Sequence, residues 1–226
     1  MDPTIRKMIH GFRHFRKTYF SDSTELYSRL QHGQMPGTLM IACCDSRVDP
    51  AHVTRSGPGE MFVIRNVANL VPPYHPDSAF HGVSSAIEYA VRHLEVKHII
   101  VLGHSNCGGI HTLMSEEWHD HPSEFLKRWL SLAEPARRRV KEELGDRPME
   151  LQLGDRPMEL QLRACEETSI LLSMENLMSF PWIRERVEAG RLKIHGWYFN
   201  MKNGELYDYD SEKEEFLPLD NGMEFL

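Results

Sequence analysis

The stretch Ile99-Ile100-Val101-Leu102-Gly103-His104-Ser105-Asn106-Cys107-Gly108-Gly109 joins a short apolar run to two side chains that can bind a metal. Four apolar residues followed by glycine predict a buried strand that ends in a tight turn. His104 and Cys107 lie at that turn with two residues between them. A neutral imidazole and a thiolate are both zinc ligands, and this spacing lets both reach one ion. The stretch therefore predicts half of a metal site at the end of a strand.

A second stretch, Leu39-Met40-Ile41-Ala42-Cys43-Cys44-Asp45-Ser46-Arg47, supplies candidates for the other half. If strand alternation continues through it, Cys43, Asp45 and Arg47 share one face. Cys43 is then the predicted third ligand, and Cys44 is predicted to pack on the opposite face. Three protein ligands with an open fourth position are typical of catalytic zinc. Asp45 either fills that position or accepts a hydrogen bond from bound water while Arg47 holds it away from the metal.

The rest of the chain alternates between strand and helix patterns. Apolar runs predict strands at 38–44, 61–66 and 97–103, and helical periodicity covers 82–94, 125–144, 160–178 and 181–189. This alternation predicts an α/β fold with a mostly parallel central sheet flanked by helices. Sites in such sheets lie beyond the carboxyl ends of the strands. The Asn203-Gly204 dipeptide between 192–200 and 205–209 predicts an antiparallel hairpin of type I′ at one edge, and the tail beyond Asp210 is expected to be peripheral.

Two further features concern the organisation of the chain. Its 226 residues, 41% of them hydrophobic, predict a single domain over 1–226, with 1–36 as an N-terminal helical arm. The apolar face of that arm is expected to pack on its own domain or on a second subunit. The segment 144–152 is repeated without change at 153–161. Because glycine and proline in each copy interrupt helices, one copy is expected to lie in place and the other, 144–152, to loop out.

Composition narrows the choice of partners and location. The net charge is −7 at a pI near 6.0, without a clustered basic stripe, so nucleic acid and anionic membranes are poor candidates. No apolar segment reaches about 18 residues, and the N-terminus lacks a signal-peptide core. Four cysteines do not form a small-protein disulfide framework, and thiolate ligands need a reducing compartment. The sequence therefore predicts a cytoplasmic protein.

Together, residues 43–47 and 104–109 resemble the β-class carbonic anhydrases, and the likeness spans roughly 8–210. Residues 65–69, 88–91 and 195–197 also look like family signatures. The resemblance implies reversible hydration of carbon dioxide to bicarbonate, with one Zn²⁺ per subunit held by Cys43, His104 and Cys107. Asp45 and Arg47 would be the catalytic pair. Zinc would lower the pKa of its bound water toward about 7, so that hydroxide attacks carbon dioxide.

The same resemblance extends to the substrate pocket and to assembly. Gln34, nine residues before the first cysteine ligand, and the positions of Phe62, Val67 and Tyr89 match the plant-like subgroup. Gln34 would donate a hydrogen bond to a substrate oxygen, and the other three would form a dry wall. Gly108 is assigned to the same pocket. Members of the family are homodimers or larger, with sites lined from two subunits.

Other interpretations of the same residues stay open at this point. On the same scaffold, the chain could hydrolyse carbonyl sulfide or carbon disulfide with the same zinc hydroxide. As a member of a different class, it could be a non-catalytic, zinc-containing scaffold protein that binds bicarbonate, with Asp45 bound to a structural zinc. Cys165 lies at an apolar position of a predicted helix and is expected to belong to the core.

Overall fold

A computed structural model of the chain describes residues 1–21, 25–77, 81–120, 122–144 and 157–219. These residues divide into two units, Met1–Met35 and Pro36–Leu226. A single domain over 1–226 therefore stays a prediction. None of the helices in these ranges is long and apolar enough to cross a membrane.

The first unit contains two helices, α1 (Pro3–Phe20) and α2 (Glu25–Leu30). The Asp2 side chain caps α1 by accepting the N–H of Thr4 at 2.8 Å. Aromatic rings of the two helices pack together, with centroids 4.7 to 6.2 Å apart: Phe15, Tyr19, Phe20 and Tyr27. The amphipathic arm predicted from the sequence is therefore helical.

The second unit is built on a six-stranded sheet of order β2-β1-β3-β4-β5-β6. Its strands are β1 (Thr38–Cys43), β2 (Met61–Asn66), β3 (His98–His104), β4 (Lys193–Asn200), β5 (Glu205–Asp210) and β6 (Glu215–Pro218). The first four are parallel, and β5 and β6 are antiparallel. The predicted α/β class is confirmed. The tail was expected to be peripheral, but its Phe216 packs on the core and β6 forms the sheet edge.

Helices cover the sheet: α3 (Pro50–Thr54), α4 (Gly82–Glu88), α5 (Gly108–Met114), α6 (Leu126–Leu130), α7 (Glu134–Leu144), α8 (Pro157–Met178) and α9 (Pro181–Glu188). The prediction of one helix over 125–144 was wrong, because a 3₁₀ turn at Ser131–Ala133 separates α6 from α7. Pro135 has no N–H to continue the ladder there. The last five residues of the second repeat copy open α8, whereas 145–156 lie outside the described residues.

Helix α8 packs unusually closely on the centre of the sheet. A Cβ at Gly103 of β3 would lie 2.6 Å from Cδ1 of Ile170, and one at Gly196 of β4 would lie 2.6 Å from Sδ of Met174. Real Cβ atoms do not approach other atoms this closely, so only glycine allows the contact. The helix therefore rests directly on the two strands, and its apolar face points into the core.

The β4–β5 hairpin differs from the predicted two-residue turn. Asn200 pairs with Glu205, so the loop has four residues, and only Gly204 among them has a positive φ, of 78°. The N–H of Met201 donates to Oγ of Ser105 at 2.8 Å. This anchor to the turn after β3 favours the longer loop over type I′ geometry.

Candidate metal centre

Three side chains that can bind a metal converge beyond the ends of β1 and β3. Cys43 ends β1, His104 ends β3 and Cys107 precedes α5, and their ligand atoms all lie within 4.8 Å of one another. The two sulfur atoms are 3.9 Å apart. Two sulfurs held at 2.3 Å by one tetrahedral zinc would be about 3.8 Å apart. The spacing therefore suits a shared zinc ion.

His104 is oriented as a ligand by its own turn. Its Nδ1 lies 3.0 Å from the carbonyl oxygen of Ser105, which fixes Nδ1 as the protonated nitrogen. Its Nε2 is buried and has no hydrogen-bond partner in the part of the chain that the structure describes. An imidazole that donates from one nitrogen and leaves the other unpartnered is the usual arrangement of a metal-binding histidine. This group fits a metal.

The pKa values of the Cys43 and Cys107 thiols shift in opposite directions. A hydrogen bond from the Cys107 thiol, with smaller contributions from the N–H groups of Asp45 and Ala68, lowers the pKa of Cys43 against the opposing effect of burial. The same bond and burial raise the pKa of Cys107. Ala68 presents its N–H from a left-handed conformation with φ of 64°, rare for alanine. The backbone is thus arranged to hold negative charge on a buried sulfur, which a cation would neutralise.

Asp45 and Arg47 form a two-pronged ion pair beside the ligands. Nε of Arg47 donates to Oδ1 of Asp45 at 2.9 Å, and Nη2 donates to Oδ2 at 2.7 Å. Nη2 also donates to the carbonyl oxygen of Asn106 at 2.9 Å, which ties the pair to the turn between His104 and Cys107. The guanidinium holds the pKa of Asp45 well below its usual range. Asp45 is therefore ionised and held by Arg47.

The predicted strand alternation past Cys43 was wrong. Because β1 ends at Cys43, the chain turns, and the N–H of Arg47 folds back to Oδ1 of Asp45 at 2.9 Å. Cys44, predicted to pack, is instead exposed. It lines an apolar cavity of about 640 Å³ together with Val67 and Trp129.

Arg65 braces this turn, a role that the sequence analysis did not assign. Its Nε donates to the carbonyl oxygen of Cys43 at 2.9 Å, its Nη2 to that of Asp45 at 2.7 Å, and its Nη1 to Oδ2 of Asp49 at 2.8 Å. Its place in the signature 65–69 was the only signal. One guanidinium therefore fixes the loop that carries the first ligand and the ion pair.

Glu166 of α8 is a second residue that the sequence analysis missed. The N–H of Cys107 donates to its Oε1 at 2.9 Å, and the Tyr198 hydroxyl donates to its Oε2 at 2.9 Å. The side chain is only 3% exposed, and burial raises its pKa. A glutamate next to a buried core residue of a helix is unusual, and its place beside Cys165, which was expected to belong to the core, was the available signal.

The predicted substrate-binding residues do not all lie beside the three grouped side chains. Val67 packs on the cluster that holds Cys43 and Cys107, and Gly108 directly follows Cys107 as the first residue of α5. Phe62 and Tyr89 contact each other, with ring centroids 5.7 Å apart. Phe62 pairs with Leu39, four residues before Cys43, which is about 13 Å along the strand. Gln34 is exposed in the first unit.

Comparisons with known proteins agree on one family. The family model described as carbonic anhydrase matches residues 38–206. Beta carbonic anhydrase 3 of Arabidopsis thaliana is 36% identical over 91% of this chain and 78% of its own length. A carbonic anhydrase of Synechocystis is 37% identical over 94% of this chain and 74% of its own length.

Solved structures give the same result. The β-carbonic anhydrase CcaA superposes with a TM-score of 0.84 at 35% identity, covering 96% of this chain and 92% of its own. A tetrameric β-carbonic anhydrase of Sordaria macrospora superposes with a TM-score of 0.78 at 28% identity, covering 92% of this chain and 97% of its own. The chain therefore belongs to the β-class carbonic anhydrases, a family of enzymes.

Proposed function

We propose that this chain catalyses the reversible hydration of carbon dioxide to bicarbonate and a proton, with one Zn²⁺ held by Cys43, His104 and Cys107. The observation that carries the proposal is the buried Cys-His-Cys group next to the ion pair of Asp45 and Arg47. Family membership supports the same reaction. Bound zinc would act as a Lewis acid that makes a nucleophile available from water at neutral pH.

Asp45 and Arg47 would form the catalytic pair. Both carboxylate oxygens of Asp45 are held by Arg47, so the carboxylate is ionised and its direction is fixed. We assign Asp45 to accept a hydrogen bond from the attacking water, which aligns that water for attack. Arg47 would keep the carboxylate off the metal, since its bidentate pair competes with coordination.

The substrate pocket would have contributions from two chains. Val67 and Gly108 lie beside the ligands, whereas Phe62 lies about 13 Å away along the strand direction. Tyr89, which is 45% exposed, contacts Phe62. We infer that Phe62 and Tyr89 complete the pocket of a second copy, in a homodimer or larger assembly. The tetrameric Sordaria macrospora enzyme supports a homo-oligomer.

Two further assignments belong to the same proposal. Gln34 would donate to a substrate oxygen, an assignment that rests on its position nine residues before Cys43, where it resembles the plant-like subgroup. A cytoplasmic location is supported by the free thiols of Cys43 and Cys107, which need a reducing compartment to act as ligands.

A stopped-flow assay of carbon dioxide hydration, combined with a zinc count on the same sample, tests the proposal. We expect about one zinc per chain and a hydration activity that disappears when a chelator strips the metal and returns when Zn²⁺ is added. Zinc-loaded protein without hydration activity at any pH would overturn the proposal.

A further inference from the structure

Glu166 lies directly behind the turn that carries Cys107. Its carboxylate is 3% exposed and takes part in no ion pair within the described ranges, yet both of its oxygens accept hydrogen bonds. The donors are the N–H of Cys107 and the hydroxyl of Tyr198. An acidic side chain is rarely buried without a cation, so this carboxylate requires an explanation beyond packing.

The fold places Glu166 at this turn with little freedom. Ile170, one helical turn further along α8, occupies the space above Gly103, next to His104. Tyr198 is level with Gly103 on β4 and lies two residues beyond Gly196, the other glycine under α8. Thus the close contact between α8 and the two strands brings Glu166, Tyr198 and the Cys107 turn together.

The peptide between Asn106 and Cys107 is held at both ends, since its carbonyl oxygen accepts a hydrogen bond from Nη2 of Arg47 at 2.9 Å and its N–H donates to Oε1 of Glu166 at 2.9 Å. Cys107 precedes α5 with φ of −67° and ψ of 118°, and its side chain makes no capping hydrogen bond. Asn106 before it has a left-handed conformation with φ of 57°. Rotation of the peptide between them would move the Cys107 sulfur away from Cys43. The hydrogen bond from the Cys107 N–H to Glu166 opposes that rotation.

We propose that Glu166 is a positioning residue for the metal, and that Tyr198 in turn positions Glu166. The carboxylate fixes the Cys107 backbone so that its sulfur stays in reach of the ion shared with Cys43 and His104. This inference rests on the proposed zinc binding. Groups that orient metal ligands through hydrogen bonds typically change metal affinity by about 10- to 100-fold when they are removed.

The test compares zinc affinity among four variants of the full chain, by competition with a chromogenic chelator. E166L removes both hydrogen bonds, and we expect about 10- to 100-fold weaker binding. E166Q keeps an oxygen for Cys107 and an N–H for Tyr198, and should restore most of the affinity. Y198F frees one oxygen and should give an intermediate loss. E167Q is the matched control, because Glu167 is the next residue of α8 and pairs with Arg163 at 2.9 Å.

A second readout separates positioning from a purely structural role. Thermal unfolding of the metal-free variants reports stability alone, and the Co²⁺-loaded variants report ligand geometry through their absorption bands. We expect altered Co²⁺ bands in E166L and parental bands in E166Q. If E166L does not fold, the comparison of zinc affinity between Y198F and E166Q tests the proposal instead. Parental zinc affinity in both E166L and Y198F would overturn the proposal, and so would an equal loss in E167Q.

The outcome is separable from that of the proposed function. A parent chain that binds zinc but does not hydrate carbon dioxide, with E166L binding zinc more weakly, would reject the reaction and support the positioning role. A parent chain that hydrates carbon dioxide, with E166L binding zinc as tightly, would support the reaction and reject the role.

Discussion

The proposed metal ligands and the proposed aromatic wall differ in how completely one chain builds their surroundings. The ligand half, Cys43, His104 and Cys107, is at most 5% exposed, and its surroundings are filled with hydrogen-bond donors from the same chain. The wall pair, Phe62 and Tyr89, lies elsewhere, and Tyr89 is 45% exposed. Polar ligand atoms need hydrogen-bond partners at defined positions, and one chain supplies them. An apolar surface needs only to be covered, which a second copy of the chain can do when it associates.

This difference predicts how each half responds to change. Damage to the ligand half should remove function from the chain that carries it. Damage to the wall pair should affect the neighbouring copy. We expect the largest losses from changes to the ligand half and the smallest from changes remote from it.

Replacing a ligand should abolish the site. In C107S the hydroxyl is a poor zinc ligand, so zinc content should fall to less than about a tenth of the parent's and hydration to the uncatalysed rate. C165S is the matched control, since Cys165 is buried in the same apolar cluster but is not one of the three grouped side chains, and it should keep its zinc. Metal analysis and stopped-flow hydration measure both. Full zinc occupancy in C107S would remove Cys107 from the ligand set.

Neutralising the carboxylate should separate binding from catalysis. D45N keeps the shape of the side chain but loses its charge, and we expect normal zinc content with hydration about 100-fold slower. R47K keeps the positive charge without the two-pronged geometry and should lose less. Stopped-flow measurement of carbon dioxide hydration, on samples of known zinc content, tests both expectations. Parental rates in D45N would remove the pair from the mechanism.

Mixing two damaged chains should restore activity if the wall pair serves the neighbouring copy. C107S lacks a metal, and the double variant F62A/Y89A lacks the wall. After dissociation and random reassembly of a dimer, half of the dimers are hybrids with one complete site, so about a quarter of parental activity should return. C107S mixed with D45N is the control and should recover nothing, because both changes lie in the ligand half. No recovery in the first mixture would place the wall within one chain.

The convergence of Cys43, His104 and Cys107 was predictable from sequence because its signal is local. Apolar runs that end in Cys43 and in His104 indicate parallel strands whose carboxyl ends meet, and the resemblance named the remaining roles. Local signals failed where contacts join distant positions. Glu166 meets Cys107 across 59 residues, and Met201 meets Ser105 across 96, which changed the hairpin loop.

Helix α5 was missed for a related reason. Gly108 and Gly109 at its start are poor helix formers and argue against a helix when read alone. In the fold, a Cβ at Gly109 would lie 2.9 Å from Cγ1 of Val67, so glycine is required for packing against the turn after β2. Tertiary contact overrides local propensity at this position.

Lowering the pH should reduce the contribution of the Asp45–Arg47 ion pair to the stability of the fold. Arg47 lowers the pKa of Asp45 below the unfolded value of about 3.9, so the folded chain binds fewer protons there. The pair therefore stabilises the fold above about pH 4 and loses that contribution as pH falls further. Because Arg47 is half exposed, we expect D45N to cost no more than about 1 kcal/mol at pH 7. Thermal unfolding of the metal-free parent and D45N at pH 7 and at pH 3 measures the difference in stability between them. A difference that is larger at pH 3 than at pH 7 would contradict the assignment.

Removing one copy of the repeat should have the smallest effect. Deleting nine residues from 144–161 gives the same sequence whichever copy is removed. Because α8 begins at Pro157 and already buries Ile170 and Leu177, its apolar face is in register with the second copy in place. The interval between α7 and α8 would shrink from twelve residues to three, which should raise stability by at most about 1 kcal/mol through loop closure.

Zinc content and hydration should match the parent's, since Glu166, Tyr198 and the Cys107 turn are held by β3, β4 and the body of α8. Denaturant unfolding and stopped-flow hydration measure the two quantities. Loss of zinc or of activity would show that the ligand half depends on the repeat, and that it is less self-contained than its contacts indicate.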